Sequence, residues 1–156
     1  MSDEPELNDD FRDILVALVE AEVVFLIVGA HALAVHGLPR ATGDIDLLVK
    51  PTPDNAKRVL EALRAFGAPI DAHGVSEADF TTPGTVYQIG LPPRRIDLLT
   101  EITAVSFDDA WQDRTQTTIA GLELAVLGRQ SLLRNKRALG RPKDLADIAA
   151  LGEDDG

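Results

Sequence analysis

Apolar residues recur along the chain at two spacings, one typical of helices and the other of strands. Phe11, Ile14 and Leu18 lie three or four residues apart, which places them on one face of an amphipathic helix. The β-branched run at residues 24–28 is typical of a buried strand and ends at Gly29. The same patterns predict helices at residues 9 or 10 to 22, 30 to 35 or 36, 53 to 66, 106 to 114, 132 to 139 and 142 to 151. They predict strands at residues 24 to 28, 44 to 50, 85 to 89, 95 to 99, 115 to 120 and 122 to 127.

The order of these elements predicts an α/β (α+β) fold. Helices should pack on a small mixed β-sheet, and two further helices follow at the C-terminus. We expect a single domain over residues 1–156, with frayed termini at residues 1–9 and 152–156. The buried face predicted for the last helix consists of Leu145, Ile148, Ala149 and Leu151.

Composition narrows the expected location. The 156 residues include no Cys, so the chain forms neither disulfides nor thiolate sites. The first ten residues hold five acids and no base, unlike a signal or transit peptide. No apolar run approaches the length needed to cross a bilayer. We therefore expect a cytoplasmic protein with no membrane partner.

The charge of the chain is strongly acidic but uneven. A net charge of −11 disfavours non-specific binding of nucleic acid over the whole surface. Residues 128–143, however, hold six bases and no acid. Such a segment suggests a local anion site, although a solvated helix face near acidic neighbours explains it equally well. Lys136 lies four residues after Leu132, so we expect its stem to follow the buried stripe and its ammonium to reach the edge of a pocket.

Two acids lie at alternate positions of the strand at residues 44–50. Asp44 and Asp46 share one face of this strand, whereas Ile45 and Leu47 point to the other. Parallel carboxylates about 6–7 Å apart repel each other unless a cation lies between them. Mg²⁺ prefers oxygen ligands of this kind. The apolar neighbours imply burial, which favours a magnesium site over a pair of solvated acids.

A third acid, Asp97, occupies a later strand. Ile96 and Leu98 share one face of it, so Asp97 lies on the other. If the two acidic strands are neighbours, the three carboxylates form one cluster. The alternative is an edge-strand acid that pairs with an arginine. We expect Arg95 to point away from Asp97, and Arg94 directly follows a Pro-Pro turn.

The residues around Gly29 and before Asp44 are candidates for anion binding. A strand that runs through a glycine into a helix presents backbone N–H groups to an anion. His31 is expected to line the pocket beside this turn. His36 is expected to be structural, because the sequence has no His or Cys cluster that could bind zinc. Arg40 can meet a phosphate or pair with a nearby acid.

These motifs resemble the nucleotidyltransferase fold of the DNA polymerase β superfamily. The resemblance rests on the strand followed by Gly29-Ala30-His31, on Asp44-x-Asp46 and on Asp97 in a later strand. The run Arg40-x-Thr42-x-Asp44-Ile45-Asp46 and the segment at residues 135–147 are similar to those of small bacterial members. These members include minimal nucleotidyltransferases and the nucleotidyltransferase toxins of type IV toxin–antitoxin systems.

The resemblance implies a transfer of a nucleoside monophosphate from a nucleoside triphosphate, such as ATP, to an acceptor hydroxyl. In the family the acids hold two magnesium ions, for which Mn²⁺ can substitute. Asp44, Asp46 and Asp97 are thus the implied metal ligands and catalytic residues, and Asp97 is also the implied base. The residues implied to contact the nucleotide are Gly29, Ala30, His31, Arg40, Thr42, Lys136 and Arg141. The family has Gly or Ser at the position of Ala30, a departure that bears on the grip on the terminal phosphates, but the three acids are intact and loss of activity is not implied.

Two classes of function remain open. The first is a metal-dependent nucleotidyltransferase whose acceptor is a tRNA, a protein or a small molecule. The second is a catalytically weak interaction or regulatory protein that keeps the fold, for which Ala30 is the main support. If the chain acts in a toxin–antitoxin system, an antitoxin protein is its expected partner.

Overall fold

The computed structural model describes residues 9–40, 42–90 and 94–152. The helices in this part of the chain are α1 (Asp9–Glu20), α2 (Gly29–Val35), α3 (Pro53–Phe66), α4 (Phe107–Gln112), α5 (Arg129–Leu139), α6 (Pro142–Ala150) and a 3₁₀-helix (Glu77–Thr81). The strands are β1 (Phe25–Val28), β2 (Asp44–Val49), β3 (Val86–Ile89), β4 (Arg95–Leu99), β5 (Thr115–Ile119) and β6 (Leu122–Val126).

The six strands form one mixed sheet in the order β3-β4-β2-β1-β6-β5. β2 runs parallel to β4, and β1 runs parallel to β6. The other neighbouring pairs, β1 with β2, β3 with β4 and β5 with β6, are antiparallel. The predicted fold class, a small mixed sheet with helices packed on it, is therefore confirmed.

The core forms around the central strands. All four residues of β1 are buried, as expected for an interior strand covered on both faces. β2 is buried through its last three residues and leaves Asp44 and Asp46 half-buried at its start. Helix α1 packs against α3, and α5 packs against α6. The start of β2, which carries the two acids, is therefore held in place by the buried remainder of the strand.

The predicted helices and strands are present, and their ends differ from the predicted ones by at most three residues. No helix or strand was predicted for the segment at residues 68–84, because it shows no clear periodicity. This segment contains the 3₁₀-helix. The Pro92-Pro93 turn and the outer parts of both predicted frayed termini lie outside the described residues. Among the described helices, none is long and apolar enough to cross a bilayer.

The predicted buried face of the last helix is partly wrong. Leu145 is 49% exposed and Ala149 is exposed, whereas Ile148 is buried as predicted. The buried face of α6 instead carries Asp144 and Asp147. Positions 144, 147, 148 and 151 form one helical face, so the buried side is set by two carboxylates that have partners in the interior.

Candidate active site

Strands β2 and β4 bring the three predicted acids together. The two strands are parallel neighbours, and their register places Asp46 beside Asp97 and Asp44 beside Arg95. Asp97 is buried, while Asp44 and Asp46 are half-buried. The cluster predicted from two separate strand patterns therefore exists as one acidic surface at the ends of two central strands.

Gly29 lies directly against the Asp46 carboxylate. It follows β1, whose last residue, Val28, pairs with Asp46 across the sheet. The φ angle of Gly29 is +70°, a backbone conformation that side chains other than hydrogen rarely permit. A Cβ atom built on Gly29 would lie 2.3 Å from Asp46 Oδ2. Glycine is thus required both by the turn and by the carboxylate packed on it.

Replacing Gly29 with alanine should displace the Asp46 carboxylate. The resemblance implies that Asp46 is catalytic, and a misplaced catalytic group commonly costs about 100-fold in rate, so we expect at least that fall in the activity that the resemblance implies. Gly37→Ala is the matched control: its φ is +98°, but nothing lies within 4 Å of an added Cβ. Melting temperatures and turnover of both variants decide the matter. Equal turnover in the two variants would show that the contact with Asp46 has no functional role.

The Asp46 carboxyl is held in an environment that disfavours its charge. Burial raises the pKa of Asp46 from its usual value of 3.8 to about 6. The neighbouring Asp97 contributes to this rise through its charge and a hydrogen bond, and Asp44 adds a smaller repulsion. Carboxyl groups crowded together in this way are typical of a site that binds a cation.

Arg95 lies inside the acidic cluster. Its Nε donates to Asp97 Oδ1 at 3.0 Å, and its Nη2 lies 3.3 Å from Asp44 Oδ2. The expectation that Arg95 points away from Asp97 is wrong. Residues 95 and 97 are two apart in one strand, so their side chains share a face.

The donor chemistry of the cluster fits a hard divalent cation. Three carboxylates on neighbouring strands offer only oxygen ligands, which Mg²⁺ and Mn²⁺ prefer. Within residues 9–40, 42–90 and 94–152, no group of three or more His, Asp or Glu side chains is arranged so that it could hold a metal ion. Arg95 contacts two of the three acids. Asp44, Asp46 and Asp97 would therefore hold the ion only if the guanidinium moved from between them.

A cavity of about 360 Å³ adjoins the cluster. Asp46 and Gly29 form one wall, and Lys136 and Arg141 lie on the α5–α6 side. The rest of the lining is mainly apolar and consists of Val28, Leu99, Ile102, Thr103, Leu127, Leu132, Asn135 and Leu139. A small organic group could thus bury its surface beside the acids, which is the usual character of a ligand site.

The remaining predicted residues near Gly29 have local contacts. Ala30 is half-buried in the first turn of α2. His31 packs edge-on against Phe11, with 6.0 Å between ring centroids, and is not among the residues that line the cavity. Burial lowers the pKa of His31, which favours the neutral ring. The Thr42 hydroxyl accepts a hydrogen bond from the Asp44 N–H at 3.1 Å, so Thr42 shapes the start of β2.

His36 has the structural role that the sequence suggested. Its Nε2 lies 2.8 Å from the carbonyl oxygen of Leu127, 91 residues further along the chain. This contact ties the end of α2 to the connection between β6 and α5.

Lys136 reaches the cavity edge as expected, but its ammonium is paired. Its Nζ lies 3.2 Å from Asp144 Oδ1 and 2.9 Å from Asp147 Oδ2. Arg141 Nε donates to Asp144 Oδ2 at 2.6 Å, and Arg40 binds the other oxygen of Asp147. We call these five residues the C-terminal ion network. It joins α5 and α6 to the loop that leads into β2.

The network keeps its two acids charged. A hydrogen bond from Arg141 holds the pKa of Asp144 well below its usual range, although full burial acts in the opposite direction. Burial also raises the pKa of Asp147, but hydrogen bonds from Lys136 and Arg40 outweigh it and lower the pKa overall. Both acids belong to the segment at residues 135–147 that resembles small bacterial members, but no role was predicted for either. Their spacing of three residues on the face that carries Ile148 and Leu151 was the available signal.

At least three of the six bases in the segment at residues 128–143 have acidic partners, namely Arg134, Lys136 and Arg141. Besides Lys136 and Arg141, Arg129 donates to the carbonyl oxygen of Leu151, and Arg134 lies 3.9 Å from an Asp109 oxygen. These contacts favour the interpretation of a helix face with acidic neighbours over that of an open anion-binding patch.

Comparison with known proteins supports the fold. No protein-family model and no curated protein matches the sequence. Among solved structures, the chain is similar to a Thermotoga maritima protein whose assignment as a nucleotidyltransferase is provisional. That match has a TM-score of 0.56 and 14% identity, over 93% of this chain and 94% of the other.

A second similar structure is the lincosamide antibiotic adenylyltransferase LnuA with lincomycin bound. Its TM-score is 0.53 at 13% identity, over 94% of this chain and 97% of LnuA. At such low identity the likeness concerns the arrangement of the backbone rather than the substrate. Since both matches span nearly the whole chain, this protein has the nucleotidyltransferase fold.

Proposed function

We propose that this chain is a metal-dependent nucleotidyltransferase that moves a nucleoside monophosphate from a nucleoside triphosphate to an acceptor hydroxyl. The observation that carries the proposal is the meeting of Asp44, Asp46 and Asp97 on two parallel strands, with Gly29 packed against Asp46. The cavity beside Asp46 gives a substrate access to these acids. The fold shared with LnuA supports the same reaction class.

In the proposed reaction, the acceptor oxygen forms a bond to the α-phosphorus, and the bond from that phosphorus to the oxygen that bridges the α- and β-phosphorus atoms breaks. Pyrophosphate leaves, and Asp97 takes the proton of the acceptor hydroxyl. A bound Mg²⁺ or Mn²⁺ would neutralise charge on the attacking and leaving oxygens. Asp44, Asp46 and Asp97 would hold the metal, while Gly29 leaves room for the triphosphate close to Asp46. Lys136 and Arg141 line the cavity. Because both are paired with acids, we give them a structural role in its wall rather than a role in binding phosphate.

The acceptor is the open part of the proposal. LnuA bears the name of an enzyme that adenylylates a small antibiotic. The motifs of this chain also resemble those of toxins. A toxin of this kind would have a tRNA or a protein as its acceptor and an antitoxin protein as its partner. Incubation with each α-labelled nucleoside triphosphate, Mg²⁺ and cell extract would separate these classes. Label in a small molecule, in RNA or in protein names the acceptor, and no label with any nucleotide contradicts the proposed activity.

Asp97→Ala should reduce catalysis more than nucleotide binding. Asp44 and Asp46 would still hold a metal-bound triphosphate, whereas the base is lost. We expect single-turnover rates at least about 100-fold lower, the usual scale for a positioned base. Nucleotide affinity in Mg²⁺ should stay within about threefold. Both quantities are measured on the same protein, and an unchanged rate would remove Asp97 from the reaction.

A further inference from the structure

The position of Arg95 has a consequence for the way in which a divalent ion enters the site. Its guanidinium spans two strands, from Asp97 on β4 to Asp44 on β2. Both oxygens of Asp97 lie within hydrogen-bond reach, Oδ1 at 3.0 Å from Nε and Oδ2 at 3.4 Å from Nη2. Asp44 Oδ2 lies 3.3 Å from the same Nη2. One cation therefore engages two of the three acids at once.

The geometry is that of a counter-ion placed between carboxylates that would otherwise repel each other. A guanidinium is always charged and presents its N–H donors in a planar fork, so it can bridge oxygen atoms of two carboxylates. The Arg95 side chain is 30% exposed, and it can therefore turn outward into solvent without breaking the core. Asp97 is only 10% exposed and stays in place.

We propose that Arg95 is an internal counter-ion that a divalent metal must displace from Asp44 and Asp97. This rests on the proposed function, because the displacing ion is the metal of that reaction. Arg95 stabilises the acidic cluster before the ion arrives. It also weakens the first metal-binding step, since the ion must break these contacts and approach a like charge. The side chain thereby sets the concentration of free divalent ion at which the site fills.

The proposal predicts opposite effects on two measurements. Arg95→Met removes the charge but keeps an unbranched stem. In a chelator, its melting temperature should fall by several degrees, because three neighbouring acids lose their counter-ion. Its affinity for Mn²⁺ should nevertheless rise about tenfold, since the competing charge is gone. A residue that only supports the fold would not improve metal binding when removed.

Arg94→Met is the matched control. Arg94 is the neighbouring residue, is exposed and carries the same charge. Its replacement should shift Mn²⁺ affinity less than about twofold, because a solvated charge is largely screened. Arg95→Lys is the conservative variant. An ammonium is a point charge that cannot bridge two carboxylates in the manner of a guanidinium, so we expect about threefold tighter Mn²⁺ binding.

The experiment is a titration of each protein with Mn²⁺ alone, with free Mn²⁺ followed by its electron paramagnetic resonance signal. Tighter binding by Arg95→Met and Arg95→Lys, but not by Arg94→Met, supports the displacement. Unchanged or weaker binding by both Arg95 variants overturns it and would mean that Arg95 holds the acids in place for the metal. If Arg95→Met does not fold in chelator, Arg95→Lys decides the question alone.

Asp46→Asn in the same titration separates this inference from the proposed function. Loss of Mn²⁺ binding in that variant places the metal at the cluster, so that the Arg95 result concerns Arg95 only. Unchanged binding in Asp46→Asn would refute the metal site itself, and with it both proposals.

Discussion

Asp46→Asn should abolish nucleotidyl transfer and, in the absence of metal, make the protein more stable. We expect turnover to fall by about three orders of magnitude, which corresponds to the several kcal/mol that a metal ion contributes to a charged transition state. The stabilisation follows from the raised pKa of Asp46, about 6 against a usual 3.8. A folded-state pKa above the unfolded value means that folding disfavours the charged carboxylate.

The difference in stability between the parent and Asp46→Asn should depend on pH. Near pH 4 and below, Asp46 is largely protonated in the folded state, so parent and variant should melt at similar temperatures. As the pH rises above about 3.8, the unfolded parent loses its proton more readily than the folded one, so the disadvantage of the parent grows and is complete above about pH 6, where the variant should be the more stable protein. Thermal melts in chelator from pH 4 to pH 8 measure the difference. A variant that melts well below the parent at pH 8 would show that the carboxylate supports the fold.

Asp44→Asn tests how much the contact between Asp44 and Arg95 contributes to stability. Asp44 also lies in the cluster, but it is paired with Arg95 at 3.3 Å. Its removal should impair transfer as strongly, while it should stabilise the metal-free protein less than Asp46→Asn because an ion pair is lost as well. Equal stabilisation by both variants would mean that the Arg95 contact with Asp44 contributes nothing.

The largest loss of stability should come from Asp144→Asn. Asp144 is completely buried and accepts hydrogen bonds from both Arg141 and Lys136. Removing one partner of a buried ion pair leaves uncompensated charge and commonly costs about 3–5 kcal/mol. For a chain of this size, that corresponds to a fall in melting temperature of roughly 10 °C.

The control for Asp144→Asn is Asp109→Asn. Asp109 is 62% exposed and lies 3.9 Å from Arg134, so its pair is worth at most about 1 kcal/mol. The pKa of Asp144 is lowered, so its stabilising effect is complete above the unfolded pKa and is lost as the pH falls through the folded value. The gap between parent and Asp144→Asn should therefore narrow under strongly acidic conditions. Similar melting temperatures for both variants at pH 7 would contradict the role given to the network.

Local patterns were sufficient to predict the elements and the acids on each strand, but they made the three-acid cluster depend on the two strands being neighbours. Alternation placed Asp44 and Asp46 on one face, and a second strand with one acid suggested Asp97. The sequence could not state that β2 and β4 are parallel neighbours in register, because that pairing depends on the whole sheet. The resemblance implied that the three acids act together, but it was the structure that gave the pairing of the two strands.

Two of the contacts that were not predicted join charged groups that lie far apart in the sequence. Asp147 binds Arg40, 107 residues earlier, and Arg95 binds Asp44, 51 residues earlier. An apolar pattern treats every acid as exposed, and it therefore placed the inward face of α6 on Leu145 rather than on Asp144, although the partners of Asp144 lie nearby in the sequence. A buried carboxylate is stable only with its partners, and those partners are fixed by tertiary structure.

The most direct test of the central claim compares two labels in one nucleotide. The protein is incubated with Mg²⁺, its acceptor and the active nucleoside triphosphate, labelled either at the α- or at the γ-phosphorus. Attack on the α-phosphorus predicts that the α-label enters the acceptor and the γ-label appears in pyrophosphate, and that Asp46→Asn produces neither. Transfer of the γ-label to the acceptor, or α-label transfer that persists in Asp46→Asn, would contradict nucleotidyl transfer at this cluster.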